Sequence, residues 1–198
     1  CTKLKDGSVV SIEDQIESAD RLELPAVQFD LRNRTEEEIE SSIEALVEFC
    51  KTHPEVAISI HGDTPKINEK DLSIKDTEII AGRIELLQKL TGEIYTVHPP
   101  RINSKMLSEL PAETQNAIIT NYCSVFAEAI KKAVERENVI KISFENMPVK
   151  GEEGSWGQTP EEILTLIRKT EEILSALGIE KEIARGCVGI TLDINHAL

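Results

Sequence analysis

Strand-like and helix-like segments alternate along the whole chain, and this rhythm limits the fold more than any other feature. Helix signals are explicit. Ser11 and Asp14 open one helix, Thr35 and Glu38 open a second with a capping-box pattern, and Thr159, Pro160, Glu161 and Glu162 open another. Those caps, the first-turn proline and the first-turn acids stand where orphan N–H groups and the helix dipole favour them. Gly92 and Gly178 follow apolar helical stretches, where C-terminal stops belong. The spacing predicts helices at 12–22, 35–52, 74–91, 111–137 and 160–177. Between them lie β-branched runs at Ala26–Leu31, Val56–His61, Glu93–His98, Val139–Glu145 and Cys187–Asp193. Such alternation reads as βαβ units on a parallel sheet, in a single domain over residues 1–198.

The two faces of the strands differ, and that difference selects the kind of sheet. His61 shares a face with Ser59 and Ala57, opposite Val56, Ile58 and Ile60. Glu145 shares one with Ser143 and Lys141, opposite Ile140, Ile142 and Phe144. Asp193 aligns with Thr191 and Gly189, His98 with Thr96, and Asp30 with Gln28. A doubly wound sheet carries helices on both faces and is apolar on both. One apolar face and one small or polar face fit a barrel, with helices outside and polar residues gathered at the C-terminal mouth. The fold class expected is therefore an α/β (β/α)8 TIM barrel. A complete barrel takes about 250 residues and eight strands, so 198 residues imply a truncated one with the last two strands missing. Cys1–Leu4 is read as the tail of a further strand, and a start without Met together with a stop five residues after Asp193 suggests a fragment.

Composition narrows the partners. With 36 acidic against 22 basic residues the formal charge is −14, which argues against broad nucleic-acid binding without excluding a local basic patch. No run approaches the roughly 20 apolar residues of a membrane helix. Cysteines at 1, 50, 123 and 187 show no Cys-x-x-Cys pairing, so the expected setting is a reducing cytoplasm, and Cys50, Cys123 and Cys187 are expected to be buried thiols. His53, before Pro54, reads as a surface residue. The helix after Pro111 is expected on the barrel exterior or against a second subunit, which leaves a homo-oligomer open.

Four successive strands end in His61, His98, Glu145 and Asp193, and His196 follows three residues later. Imidazoles and carboxylates suit Zn, Mn, Co or Mg. The spacings of 37, 47 and 48 residues are those of βα units, so barrel closure rather than a local motif would bring these groups together. A carboxylate at the end of so apolar a strand as that of Glu145 needs a charge partner.

The segments ISIHGD, YTVHPP, ISFENMP and GITLDINHA resemble successive strand ends of the xylose isomerase-like TIM barrels, which join sugar isomerases and epimerases with the endonuclease IV (AP endonuclease family 2) proteins. The resemblance to endonuclease IV implies that His61, His98 and Glu145 bind one zinc, that Glu145 and Asp193 share a second, and that His196 serves a third. The resemblance to the one-metal epimerases implies Glu145 and Asp193 as ligands and His196 as a substrate contact. In both, further ligands come from the last two strands.

Three functions are weighed. The first is a divalent-metal-dependent isomerase or epimerase of a sugar or sugar phosphate, with Glu145 as both ligand and base. The glycine-rich stretch Val149–Gln158 would then be a lid carrying an exposed Trp156 over a small carbohydrate, with Arg101, Asp30 and His196 also meeting substrate. Arg101 and Lys105 are the basic residues expected near the mouth, able to bind one phosphate group. The second function is a zinc phosphodiesterase at abasic sites, favoured by two strand-end histidines but opposed by the charge and by Glu152 and Glu153 in the loop. The third is a barrel that binds a small molecule without catalysis.

Overall fold

The computed structural model describes residues 10–68, 71, 73–150 and 154–196. In chain order the first elements are α1 (Ile12–Arg21), β1 (Ala26–Asp30), α2 (Glu36–Thr52), β2 (Ala57–His61), β3 (Lys66–Ile67) and β4 (Ile74–Lys75). They are followed by α3 (Thr77–Lys89), β5 (Ile94–Val97), α4 (Ser104–Glu109) and α5 (Ala112–Glu135). The chain continues through β6 (Lys141–Glu145), α6 (Pro160–Ala176), α7 (Lys181–Gly186), β7 (Val188–Thr191) and a 3-10 turn, Ile194–His196.

Five strands form one parallel sheet in the order β1-β2-β5-β6-β7, and β3 and β4 form a separate antiparallel pair. Spatial order follows chain order throughout the large sheet. A doubly wound sheet reverses its order at a switch point; this one does not, so right-handed crossovers lay every helix on the same side. The arrangement is that of consecutive βα units of a TIM barrel, with the barrel left open between β1 and β7. The strand tail expected at Cys1–Leu4 lies outside the described residues.

Burial follows the two-faced pattern. Phe29, Ile58, Ile60, Tyr95, Val97, Ile142 and Phe144 are buried on the helix side, while Gln28, Ala57 and Lys141 on the other face are exposed. The long helix α5 buries Ile118, Tyr122, Phe126 and Ile130 in the core, beside α6. Tyr122, Phe126 and Phe144 meet edge to face, with ring centroids 5.2 and 5.8 Å apart, a geometry that suits the ring quadrupoles. Both expected capping boxes form, at Thr35 with Glu38 and at Thr159 with Glu162.

Several expectations are corrected. Helix α3 starts at Thr77, not 74, because Ile74 and Lys75 pair with Lys66 and Ile67. The left-handed residue after α3 is Thr91 (φ 55°), and Gly92 is there for another reason: a Cβ would fall 2.3 Å from the Leu87 side chain. Gly178, at φ 87°, is the expected kind of stop. His53 is half-buried rather than free at the surface, stacked on Phe49 at 4.5 Å with Nε2 3.1 Å from Asp20. Cys123 and Cys187 are buried free thiols while Cys50 is only half-buried, and burial pushes the Cys123 thiol up to about 12. Among the described residues no helix is long and apolar enough to cross a membrane.

Gly62, one residue past β2, faces the buried Tyr95 ring so closely that a Cβ would lie 1.9 Å from its hydroxyl. Gly62→Ala is therefore expected to destabilise the fold by about 1–3 kcal/mol, as overpacking does. Urea unfolding checks it: the midpoint should fall with the slope unchanged.

Candidate metal centre

Parallel strands end at one edge of the sheet, so the chemistry gathers there. Strands β2, β5 and β6 are adjacent. The register pairs His61 with Thr96 and Thr96 with Ser143, which sets His98 and Glu145 level with each other and His61 two residues lower. The imidazoles still converge on one oxygen. His61 Nε2 lies 3.0 Å and His98 Nε2 3.1 Å from Glu145 Oε2, and the two rings stand edge to face at 4.8 Å. His61 and Glu145 are each 5 % exposed.

Below them lies a floor of hydroxyls on the inner face. Ser143 Oγ is 2.7 Å from Thr191 Oγ1, Thr191 Oγ1 is 3.4 Å from Thr96 Oγ1, and Gln28 Nε2 donates to Thr96 Oγ1 at 2.8 Å. These groups satisfy one another and leave the carboxylate to the imidazoles. Burial alone would raise the Glu145 pKa, but His61 and His98 more than offset it and hold the carboxyl well below the usual range. Burial pushes the His98 imidazole down; Glu145 opposes this, while His61 and Arg32 add to it.

Asn146 builds the second wall. Its Oδ1 accepts from Asp193 N at 2.7 Å and its Nδ2 donates to Asp193 O at 3.1 Å. Its backbone oxygen lies 2.7 Å from His196 Nδ1. A carbonyl only accepts, so Nδ1 carries a proton. Its Nε2 lies 3.5 Å from Asp193 Oδ2. Strand β7 stops at Thr191, so Asp193 sits in the loop before the 3-10 turn rather than at a strand end.

The donor atoms fall into two groups, His61 with His98 and Glu145, and Glu145 with Asp193 and His196; within each group they lie within 4.8 Å of one another. Among the described residues the buried atoms His61 Nε2 and Glu145 Oε2 make no hydrogen bond of good geometry despite their separation of 3.0 Å. Leaving such groups unsatisfied costs about 1–3 kcal/mol each. A divalent cation answers both, and nitrogen and carboxylate donors suit it. The residues fit a metal.

Asp30 is buried, and its carboxylate is taken by Arg32: Nε donates to Oδ1 at 2.9 Å and Nη2 to Oδ2 at 2.5 Å. Arg32 Nη1 reaches His98 Nε2 at 3.3 Å. Arg101 is exposed on the rim of a cavity of about 350 Å³ that His98, Ile102, Asn103 and Met147 also line. Trp156 is 7 % exposed, not the exposed lid residue expected. Its backbone N–H donates to Ile102 O at 2.8 Å, and Ser155 bridges to Asn103, so this part of the loop is pinned to the segment before α4. Glu152 and Glu153 lie outside the described residues. Sequence reasoning missed Arg32 and the clamp made by Asn146. The signals were present as Asp-x-Arg at the end of β1 and as the Asn directly after Glu145.

No protein-family model matches the sequence, and no curated protein matches it. Solved structures do match in fold. The IolI protein with a bound zinc atom aligns with a TM-score of 0.63 at 16% identity, over 94% of this chain and 59% of that one. L-ribulose 3-epimerase aligns with a TM-score of 0.56 at 14% identity, over 96% and 58%. A xylose isomerase-like TIM barrel protein from Mycobacterium smegmatis in complex with magnesium aligns with a TM-score of 0.54 at 14% identity, over 99% and 62%. The chain shares the TIM-barrel fold of these structures and spans about three fifths of their length.

If Asn146 holds the Asp193 and His196 wall, Asn146→Ala should weaken zinc binding about 10- to 100-fold, as loss of a group that orients ligands does. Calorimetric titration of zinc, with circular dichroism confirming the fold, measures this.

Proposed function

We propose that this protein is a divalent-metal-dependent isomerase or epimerase of a sugar or sugar phosphate. The observation that carries the reading is the buried Glu145 carboxylate facing two imidazoles, with His61 Nε2 and Glu145 Oε2 unsatisfied. His61, His98 and Glu145 would hold the ion, with Asp193 and His196 beside it. A bound divalent ion supplies polarisation of a carbonyl and its neighbouring hydroxyl, which eases removal of the proton between them. Support comes from structures of the same fold described as an L-ribulose epimerase and as zinc- and magnesium-bound barrels.

The chain's own residues have distinct tasks in this reading. Glu145 stays ionised at neutral pH because the imidazoles hold it so, and its Oε1, turned toward His196 at 4.0 Å, takes up the substrate proton. His196 meets a substrate hydroxyl. Arg101, on the rim of the adjoining cavity, meets the phosphate of a phosphorylated substrate, and Trp156, through its backbone bond to Ile102, holds the loop beside that cavity. Asp30 contributes through Arg32.

One observation favours a second reading. Glu145 belongs to both donor groups, the pattern of a carboxylate bridging two ions, which would serve an endonuclease IV-like phosphodiesterase. The two readings separate on metal content and on proton chemistry. The first predicts one divalent ion per chain by plasma mass spectrometry, lost in Glu145→Gln. It also predicts deuterium uptake from D2O at the carbon next to a ketose carbonyl, slowed about 10²- to 10⁴-fold in the variant, as removal of a general base does. Two or three zinc ions per chain, with no ketose exchange, would transfer the assignment to the phosphodiesterase.

A further inference from the structure

Arg32 is held more firmly than a surface arginine needs to be. Its backbone N–H and its Nε both donate to Asp30 Oδ1, at 3.1 and 2.9 Å, and Nη2 donates to Oδ2 at 2.5 Å. This two-pronged pairing with a buried carboxylate fixes the plane of the guanidinium. Nη1 is thereby aimed at His98 Nε2, 3.3 Å away. The same Nε2 lies 3.1 Å from Glu145 Oε2, so Arg32 sits against an atom that serves as a metal donor in the reading above. A structural ion pair would have no need to reach this atom. The contact places the positive edge of the guanidinium beside His98 Nε2.

We infer that Arg32 binds an oxyanion at the metal centre, the negatively charged oxygen of a ligand that also meets the ion. The inference rests on the metal reading. With an ion on His98, Arg32 stays beside the centre, because Asp30 rather than His98 anchors it. Donor atoms sharing one divalent ion lie roughly 3 Å apart. A ligand oxygen bound on the Arg32 side of His98 would meet Nη1. The ligand class selected is one with a charged or charge-developing oxygen beside a second oxygen, such as a hydroxy-ketone passing through an enediolate, rather than a neutral polyol.

Acetohydroxamate, a small oxyanion with paired oxygens, is the probe. Zinc is titrated first into the wild type and Arg32→Met, then acetohydroxamate into each zinc-loaded protein by calorimetry. The expected result is equal zinc stoichiometry and about 10- to 100-fold weaker acetohydroxamate binding in Arg32→Met, the range of a hydrogen bond to a charged group. Arg32→Lys, which keeps the charge but not the fork, should fall between. If Arg32→Met fails to fold because Asp30 is left unpaired, the double variant Asp30→Asn/Arg32→Met removes both charges and should show the same weakening. Equal acetohydroxamate affinity in wild type and a folded variant overturns the role of Arg32 alone. Failure of zinc to bind the wild type overturns the metal reading, and this inference with it.

Discussion

A buried carboxylate sets the terms for everything around it. Moving an ionised Glu145 out of water costs several kcal/mol even after relaxation, and the surrounding residues are arranged to offset that cost. Two imidazoles reach its outer oxygen, at 3.0 and 3.1 Å. The inner face beneath carries hydroxyls that bond to each other instead of competing for the carboxylate. The side chains behind it, Phe144 with Tyr122 and Phe126, are wholly apolar or turn their polar atom away. The Tyr122 hydroxyl donates to the backbone oxygen of His98, which ties α5 to the strand end that carries one of the imidazoles.

Sheet order turns this local demand into a property of the fold. Because the order runs β1-β2-β5-β6-β7 without reversal, each βα unit delivers one residue to the same rim. The stagger between β2 and β5, which pairs His61 with Thr96 and not with His98, is the shear that barrel formation requires. It lowers His61 relative to its neighbours, and both imidazoles still reach Oε2. A flat, unstaggered sheet would set the two rings abreast at the same height. The site thus depends on curvature as much as on the residues themselves.

Periodicity made most of this frame legible. The small and polar alternation at Ser59, Thr96, Ser143 and Thr191 is a property of single strands, and it marks the inner face whatever the rest of the chain does. Strand ends follow from it, and with them His61, His98 and Glu145. What stayed hidden depends on contacts between elements. Arg32 is two residues past Asp30, and nothing in a local pattern says that its guanidinium turns back to pair with that aspartate and then reaches β5. Trp156 reads as exposed in a glycine-rich stretch, yet a backbone bond to Ile102 carries it inward. The boundary of α3 was misplaced for a similar reason: the β3–β4 pairing claims Ile74 and Lys75, and no helix signal opposes it.

Charge acts on two scales here, and they point in opposite directions. The formal charge of −14 is a property of the whole surface, and it repels a long polyanion that must lie across many side chains. Fields from exposed charges fade over about 8–10 Å at physiological salt. A small anion entering the mouth therefore responds mainly to what lines it. Asp30 neutralises Arg32 in total, but the pair is oriented: both carboxylate oxygens are engaged from the Nε and Nη2 side, and Nη1 faces the centre. The result is a directed dipole with its positive end toward His98. In a water-poor site a fixed dipole of this kind stabilises developing negative charge far better than it would in solvent. In the reading proposed above, an acidic surface that opposes a long polyanion is thereby compatible with a small oxyanion at the centre.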